Sequence, residues 1–279
     1  MSKADNFNLW LDGFTTTLLD VNGISTAIYS DGEEESSKPT VLFVHGLNGD
    51  YHGLVPLAYE LRNEYRVVFA DLPGHGGTAI PTGNDLVGII RGWGEHVVEA
   101  LRAHSFNVSA VVGHSFGTLS VQYTETEKMV LLNPPFETSH LSRGGSAILS
   151  RTGPLANKVF SSYPVMVRRG QWLMHKRSDE ADEIISWSSN LTHVSDEQFI
   201  FQTKLSIAVS GEGLMDTTRL SGVRHLLIVT SEFDNIVNNT ALPKEELPNA
   251  TIQSVPTGHV SVFEMPAEIA GLIREFLAD

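Results

Sequence analysis

The sequence predicts an α/β protein in which helices flank a mostly parallel central sheet and a helical cap is inserted between two strands. Three observations support this prediction: short apolar runs bounded by loop residues, helical patterns that alternate with those runs, and one long stretch, residues 136–220, that breaks the alternation. Alternating strands and helices favour parallel pairing with right-handed crossovers. We therefore expect one core made of residues 1–135 and 221–279, and a cap made of residues 136–220.

The composition is that of an ordinary globular protein, with 41% hydrophobic and 19% charged residues in a chain of 279. The net charge of −14 disfavours nucleic acid and anionic membranes as partners, because both bind basic surfaces. The absence of cysteine excludes disulfides, thiolate metal sites and a cysteine nucleophile. Residues 1–20 contain no apolar signal region, and no apolar run approaches the roughly 18 residues of a membrane span. We expect a cytoplasmic protein that acts on a small molecule.

The first elements are a hairpin followed by alternating strands and helices. β-branched runs in residues 14–32 surround Asn22-Gly23, a dipeptide preferred in tight hairpin turns. Short apolar runs within residues 40–46 and 65–77 predict two buried strands. The positions between them that recur at helical spacing are Leu54, Leu57, Ala58 and Leu61.

A longer helix and four more strands complete the predicted core. The helical face consists of Leu86, Ile89, Ile90, Trp93 and Val97, although glycines at 88, 92 and 94 weaken it. The strand-like runs lie at residues 108–113, 128–135, 224–234 and 250–259. The last helix has Ile269, Leu272, Ile273 and Phe276 on one face.

Residues 136–220 contain no convincing buried strand but several helix-like segments. Two of them, SDEADEIISWSS at 178–189 and SDEQFIFQTKLSIA at 195–208, begin with serine and then acidic residues. Serine caps a helix N-terminus, and acidic side chains in the first turn complement its positive end. The stretch is therefore predicted to be helical.

The tripeptide His-Ser-Phe occurs twice, and only its surroundings distinguish the two serines. Ser115 has a glycine two residues away on each side, Gly113 and Gly117, and it follows an apolar run and precedes a possible helix. A sharp strand-to-helix turn strains the backbone of a nucleophile, and flanking glycines remove Cβ atoms that would collide with the neighbouring strand and helix. Ser105 lacks both glycines and sits where a helix ends. Ser115 is therefore the predicted nucleophile.

With two further motifs, the chain resembles the α/β-hydrolase family over nearly its full length outside the cap. HGLNG, residues 45–49, matches the family's H-G oxyanion motif, and DLPGHGG, residues 71–77, matches its D-x-P-G-H-G loop. The resemblance implies an α/β-hydrolase fold in which the backbone N–H groups of Leu47 and Phe116 form the oxyanion hole. The chain departs from the family after Ser115, where it leaves room for only about two helical turns before the next strand.

The resemblance also implies the chain order serine, acid, histidine. Asp234 and His259 each follow a strand-like run, and the carboxyl ends of parallel strands are where such sheets place their sites. A neutral histidine accepts the serine proton near pH 7, and a buried carboxylate orients the imidazole. Glu232 is the rival acid, but the family places its acid three residues after a small residue, here Ser231, which favours Asp234. Phe233 is expected to be a buried anchor of this loop.

These residues predict a serine hydrolase that cleaves esters, thioesters or lactones of small molecules through an acyl-enzyme. No H-E-x-x-H or similar spacing occurs, so we expect neither a metal nor a cofactor. Dehalogenases and epoxide hydrolases of this family need a carboxylate at the position of Ser115, which excludes their chemistry. Carbon–carbon bond hydrolysis, amide hydrolysis and a non-catalytic ligand receptor remain alternatives, and the oligomeric state is open.

Several further side chains have two interpretations. His45, His75 and His114 are expected to hold position rather than to react. Arg168 and Arg169 are candidates for contact with a substrate carboxylate, although a solvated charge pair is the simpler interpretation. The apolar cap residues that either line a pocket or, more simply, pack the cap on the core are Met166, Trp172, Leu173, Met174, Trp187 and Phe199.

Overall fold

A single eight-stranded sheet forms the centre of the computed structural model, which describes residues 2–31, 37–136, 153–209, 215–238 and 242–278. The strands are β1 (Thr15–Val21), β2 (Ile24–Ser30), β3 (Thr40–Val44), β4 (Arg66–Ala70), β5 (Val108–His114), β6 (Lys128–Leu132), β7 (His225–Ser231) and β8 (Ala250–Val255). Their spatial order is β1-β2-β4-β3-β5-β6-β7-β8. β1 pairs antiparallel with β2 and β2 antiparallel with β4, whereas every other pair is parallel. The predicted mostly parallel sheet is confirmed.

The helices are α1 (Lys3–Leu11), α2 (Val55–Leu61), α3 (Leu86–Ala103), α4 (Gly117–Val121), α5 (residues 153–160), α6 (Tyr163–Leu173), α7 (Asp179–Leu191), α8 (Asp196–Ala208), α9 (Thr217–Ser221), α10 (Ser261–Glu264) and α11 (Pro266–Ala278). Short 3₁₀ turns lie at Tyr51–Leu54 and Lys244–Glu246. Helix α1 has no counterpart among the predicted elements. Across the described ranges, no helix combines the length and the apolar character needed to cross a bilayer.

The hairpin turn between β1 and β2 is the one that its sequence predicts. Asn22 and Gly23 have φ of 53° and 79°, and both central residues of a type I′ turn need such left-handed values. The Asp20 carboxylate accepts a hydrogen bond of 3.0 Å from the N–H of Gly23. Asparagine and glycine adopt this backbone more readily than other residues, so the turn follows from local sequence.

Apolar side chains cover both faces of the sheet. In β3, Val41 and Phe43 join the core on one face, whereas Leu42 and Val44 join the core on the other. This alternation is the two-residue period of a strand that is buried on both sides. Helices α3, α4 and α8 contribute to the second core, and α1, α2, α7 and α11 contribute to the first. The carboxyl ends of β3, β5, β6 and β7 consequently meet at one edge, because these strands run parallel.

A close approach between helices explains the glycine at position 94, which the sequence pattern alone counts against α3. A Cβ atom on Gly94 would lie 2.1 Å from the carbonyl oxygen of Ser120 in α4. The helix therefore needs glycine there to pack against α4. The five residues of α4 also agree with the short segment expected after Ser115.

Helices α5 to α9 lie in the chain between β6 and β7, and the described residues between these two strands contain no strand. Residues 137–152 and 210–214 of the predicted cap lie outside the described ranges. Ser178 and Ser195 cap α7 and α8 as expected, with Ser195 and Gln198 forming a capping box. Helix α7 also contacts α1, since the Trp187 indole donates a 2.8 Å hydrogen bond to the Asn8 side chain.

Candidate active site

Ser115 sits in a sharp turn between β5 and α4, with a left-handed φ of 51°. A Cβ atom on Gly113 would lie 2.6 Å from the Val121 side chain, and one on Gly117 would lie 2.4 Å from the carbonyl oxygen of Val44. Any larger residue at either position would collide with helix α4 or with the end of β3. The contacts that the sequence interpretation assigned to these glycines are therefore present.

Ser105 also has a left-handed backbone, with φ of 66°, but its setting is different. It follows the end of α3, where its N–H donates to the carbonyl of Arg102 and the next N–H donates to the carbonyl of Leu101. This is a left-handed cap of a helix C-terminus. Ser105 is exposed there, so a positive φ alone does not distinguish the two serines. Their surroundings do.

His259 lies between Ser115 and Asp234. Its Nε2 atom is 2.8 Å from the Ser115 hydroxyl oxygen, and its Nδ1 atom is 2.8 Å from Oδ2 of Asp234. Because an ionised carboxylate only accepts hydrogen bonds, Nδ1 donates to it, and Nε2 of the neutral ring accepts from the serine hydroxyl. Residues separated by more than a hundred positions thus form one continuous chain of hydrogen bonds.

The Asp234 carboxylate is buried and kept ionised by its partners. Burial alone would raise the pKa of this carboxyl, but the hydrogen bond and charge of His259, together with bonds from Val237 and Asn133, lower that pKa below its usual value. The N–H groups of Ile236 and Val237 donate to Oδ1 at 2.8 and 2.9 Å. Asp234 can therefore hold the ring of His259 in one tautomer.

Asn133, which the sequence interpretation did not single out, orients this carboxylate. It follows β6 with a φ of 51°, and its side-chain amide donates to Oδ2 of Asp234 at 2.8 Å and to the Ser231 hydroxyl at 2.7 Å. The Ser261 hydroxyl donates to the Asn133 amide oxygen at 3.2 Å. The sequence signal that could have identified Asn133 is its position directly after a buried strand, because asparagine tolerates a left-handed backbone.

Glu232, the rival acid, is exposed on the surface; its backbone N–H donates to the carbonyl of Val255, and its carboxylate has no partner within the described ranges. The expectation that Phe233 is a buried anchor was wrong. Its side chain is 48% exposed and stacks on the His175 ring at a centroid distance of 3.5 Å. The loop is held instead by the hydrogen bonds of Asp234, so the aromatic side chain is free to lie outside.

Leu47 and Phe116 flank the Ser115 side chain from two loops. The turn at residues 46–49 is closed by a 3.3 Å bond from the N–H of Gly49 to the carbonyl of Gly46, and a Cβ atom on Gly46 would lie 3.3 Å from the Cβ of Ser115. Within the described residues, neither the N–H of Leu47 nor that of Phe116 donates to a protein atom. Both residues line the same cavity as Ser115, and their N–H groups have no protein acceptor among the described residues.

A model of the alpha/beta hydrolase family matches residues 41–272. The chain belongs to this family. It is therefore a hydrolase. A fluoroacetate dehalogenase from Burkholderia sp. is 32% identical over 108 residues, a match that spans 38% of this chain and only 34% of that protein.

Solved structures of other hydrolases share the fold. A 2-hydroxy-6-oxo-6-phenylhexa-2,4-dienoate hydrolase from Rhodococcus sp. strain RHA1 superposes with a TM-score of 0.73 at 15% identity, over 95% of this chain and 99% of that one. A carboxylesterase from Bacillus subtilis superposes with a TM-score of 0.72 at 14% identity, over 98% and 95% of the two chains. At these identities the likeness concerns the fold alone.

Two buried histidines of the hydrolase hold backbone segments around the site. The His75 ring donates to the carbonyl of Pro73 at 3.0 Å, and the His114 ring donates to the carbonyl of His259 at 3.0 Å. Burial lowers the pKa of His75 to about 3, and burial together with the nearby His259 lowers the pKa of His114 to about 4. Both rings are neutral at pH 7, and each holds a backbone segment in place through its hydrogen bond.

A buried polar network lies beneath the turn at residues 46–49. The Asp71 carboxylate accepts from the Tyr29 hydroxyl at 2.8 Å and from the N–H groups of Tyr51 and Gly77 at 2.9 Å each. His45 donates from Nδ1 to the carbonyl of Gly46 and accepts at Nε2 from the N–H of Leu72. His45 is thus occupied with the backbone on both sides, and the network fixes the loop that carries Leu47.

Ser115 and His259 line a cavity of about 280 Å³ to which α6, α7 and α8 also contribute lining residues. Of the six apolar candidates in this region, Met166, Trp172 and Leu173 line the cavity. The other three, Met174, Trp187 and Phe199, are buried in packing contacts instead. Arg169 lines the cavity as well. The hydrolase therefore encloses the Ser115 hydroxyl in a space of small-molecule size.

Proposed function

We propose that this hydrolase cleaves ester-type bonds of small molecules through an acyl-enzyme, with Ser115 as nucleophile, His259 as base and Asp234 as acid. The observation that carries the proposal is the pair of 2.8 Å contacts that join the three side chains, two of which, Ser115 and His259, line the cavity. A hydroxyl alone is a weak nucleophile, and a base within hydrogen-bond reach, itself oriented by a third group, is what activates it.

In the first half-reaction, His259 Nε2 takes the hydroxyl proton as the Ser115 oxygen attacks the carbonyl carbon of the substrate. The tetrahedral intermediate carries a negative oxygen, and the free N–H groups of Leu47 and Phe116 donate to it. The protonated imidazole is stabilised by the charge of Asp234. It then gives its proton to the leaving alcohol, and the acyl group remains on Ser115.

In the second half-reaction, the same groups act in the reverse order. His259 takes a proton from a water molecule, and the resulting hydroxide attacks the acyl carbon. The oxygen of Ser115 leaves and recovers the proton from Nε2, which releases the carboxylic acid. No metal is needed in either step, because the proton transfers and the oxyanion stabilisation are supplied by side chains and backbone N–H groups.

We further propose that residues 136–220 form a cap that shapes the substrate space. In support, α6, α7 and α8 supply residues that line the cavity together with Ser115. Loops and caps commonly carry specificity, whereas the sheet holds the reacting groups. The dienoate hydrolase and the carboxylesterase that share the fold are named for different substrates, so we look to the cap rather than the sheet for the choice of substrate.

Although part of the chain matches a fluoroacetate dehalogenase, we do not propose that this protein removes halides. Ser115 stands at the elbow, where displacement of a halide in this family uses a carboxylate. A serine there forms an acyl-enzyme from carbonyl substrates instead.

The proposal is tested by labelling with a fluorophosphonate and by turnover of p-nitrophenyl butyrate. Wild type is expected to bind one label per chain, and Ser115→Ala should lose labelling and at least about 10³-fold in turnover, because the nucleophile is removed. The matched control is Ser105→Gly, since glycine tolerates the left-handed φ at that position. This variant should label and turn over like wild type. Labelling that survives in Ser115→Ala, or is lost in Ser105→Gly, contradicts the assignment.

A further inference from the structure

Arg169 is a charged side chain in the cavity wall that has no protein partner among the described residues. It lies on α6 and lines the same cavity as Ser115 and His259, whereas its neighbour Arg168 does not. Within the described residues the Arg169 guanidinium makes neither a hydrogen bond nor an ion pair. The Arg169 side chain is exposed, and it contributes to the lining of the cavity.

Protein groups around this guanidinium affect its pKa without removing its charge. Dense surrounding protein lowers its pKa by desolvation, but an arginine keeps its positive charge at neutral pH all the same. Since the side chain remains exposed, this charge keeps contact with water, and no described residue neutralises it. A cation that lines a ligand cavity without such a partner is available to a negatively charged group of the ligand.

Among the described residues, the cavity wall supplies no carboxylate that pairs with Arg169. Asp50 is the single carboxylate among the described lining residues, and its Oδ1 atom already accepts from the backbone and ring of His52 at 3.0 Å each and from the Thr192 hydroxyl at 3.2 Å. Arg169 is also the single lysine or arginine among those lining residues. One cation in a mostly apolar wall suits one monoanionic group.

We propose that Arg169 binds a free carboxylate carried by the substrate, so that the substrates are small esters with an acidic group away from the cleaved bond. The planar fork of a guanidinium matches a carboxylate with two parallel hydrogen bonds. The overall charge of −14 repels anionic substrates at a distance, which makes a local cation necessary for their binding. This inference rests on the proposed function.

The experiment compares each anionic ester with a neutral counterpart. 4-Nitrophenyl hemiglutarate and 4-nitrophenyl valerate differ by a carboxylate on the acyl side, and 4-acetoxybenzoate and its methyl ester differ by one on the leaving group. In wild type, at least one anionic member should have the lower KM of its pair. Arg169→Gln should raise that KM about 10- to 100-fold, the usual range for a charge-assisted hydrogen bond, and change the neutral counterpart less than threefold.

Two matched variants separate the charge from its position. Arg168→Gln removes the adjacent charge on the same helix and should leave every KM near wild type. Arg169→Lys keeps a charge without the planar fork and should restore part of the preference. Because Arg169 has no protein partner in the described ranges, Arg169→Gln should melt no lower than wild type. The proposal is overturned if Arg168→Gln and Arg169→Gln change the KM values equally, or if Arg169→Gln changes the KM of the anionic and the neutral esters equally.

Binding to the Ser115→Ala variant, measured by calorimetry, tests the site without catalysis. If Ser115→Ala binds the anionic esters more tightly and this preference depends on Arg169, while wild type turns over none of the esters, the proposed hydrolysis is refuted and the carboxylate site stands. Turnover of the neutral esters by wild type, with no preference for either anionic ester in either measurement, refutes the carboxylate site and leaves the hydrolysis intact.

Discussion

Left-handed backbone recurs at the residues around the candidate site. Asn48, Ser115 and Asn133 follow the ends of β3, β5 and β6 and have φ of 58°, 51° and 51°. Such values cost residues other than glycine about 1 kcal/mol or more, so the surrounding contacts must hold them. At Ser115, the backbone N–H donates to the carbonyl of Leu132 at 2.8 Å. At each of these residues the backbone turns sharply after its strand. Side chains at the ends of neighbouring strands are thereby brought together.

The identity of the acid is testable at the same scale. Asp234→Asn retains the shape of the side chain but removes the charge that orients His259, and the serine-protease precedent is a loss of roughly 10⁴-fold in kcat. Glu232→Gln is the matched control, because the Glu232 side chain is exposed and acts only through a screened field. It should stay within about tenfold of wild type. Both variants are assayed on one activated ester after circular dichroism has checked their folding.

The opposite ranking, with the large loss in Glu232→Gln and the small one in Asp234→Asn, would reverse the assignment of the acid. The pairing of Ser115 with His259 would survive that result, because it rests on a separate 2.8 Å contact.

At the scale of elements, the end of α6 is tied to the loop that carries His259. The N–H of His259 donates to the carbonyl of Leu173 at 2.8 Å, and a Cβ atom on Gly258 would lie 2.2 Å from that same oxygen. The Glu264 carboxylate accepts from the N–H groups of Gly258, His175 and Lys176 at 2.7, 3.0 and 2.9 Å. One side chain therefore joins the segment after α6 to the loop before His259.

Glu264→Gln should loosen this connection. An amide offers one accepting oxygen where the carboxylate offers two, so at least one of the three N–H groups loses its acceptor. We expect kcat to fall about tenfold, since small displacements of a catalytic group are costly, with a smaller change in KM. Glu268→Gln, an exposed position on α11, is the control and should match wild type. A kcat that is equal in the two variants would mean that the tether does not position His259.

For the whole molecule, buried neutral histidines link stability to pH. His75 and His114 have pKa values of about 3 and about 4 in the fold, below the usual value near 6.5 of an unfolded chain. The unfolded state therefore binds more protons below pH 6.5. Their contribution to stability is complete above that pH and is lost as the pH falls towards 4. The carboxyl of Asp234, whose pKa is lowered, adds a loss at still lower pH.

We expect the free energy of unfolding, measured with urea, to fall between pH 7 and pH 5.5 by about 1 kcal/mol for each of these histidines. The general change of charge near the sequence pI of 5.2 also affects stability, so the informative quantity is a difference between variants. His114→Gln replaces the titrating ring with an amide and should reduce the pH dependence by about 1 kcal/mol. Identical pH dependence in the variant and wild type would show that His114 is not the group responsible.

Local sequence determined the parts of this protein that depend on neighbouring residues. All eight strands, the turn at Asn22-Gly23 and the capping serines of α7 and α8 follow from patterns a few residues long. The difference between Ser115 and Ser105 is also local, because it lies in glycines two positions away. Backbone conformation, capping and strand periodicity act over such short spans, and the sequence displays them directly.

Only the tertiary structure decided the features that depend on distant contacts. Asn133 meets Asp234, Phe233 lies outside the core, and Arg169 faces the cavity while Arg168 does not. In each case the position of the side chain depends on which element packs against it. The sequence alone does not distinguish two adjacent arginines, because their environments differ only once the helix is packed in the fold. The physical reason is that burial, pairing and cavity shape come from atoms far apart in the chain, which no short stretch of residues records.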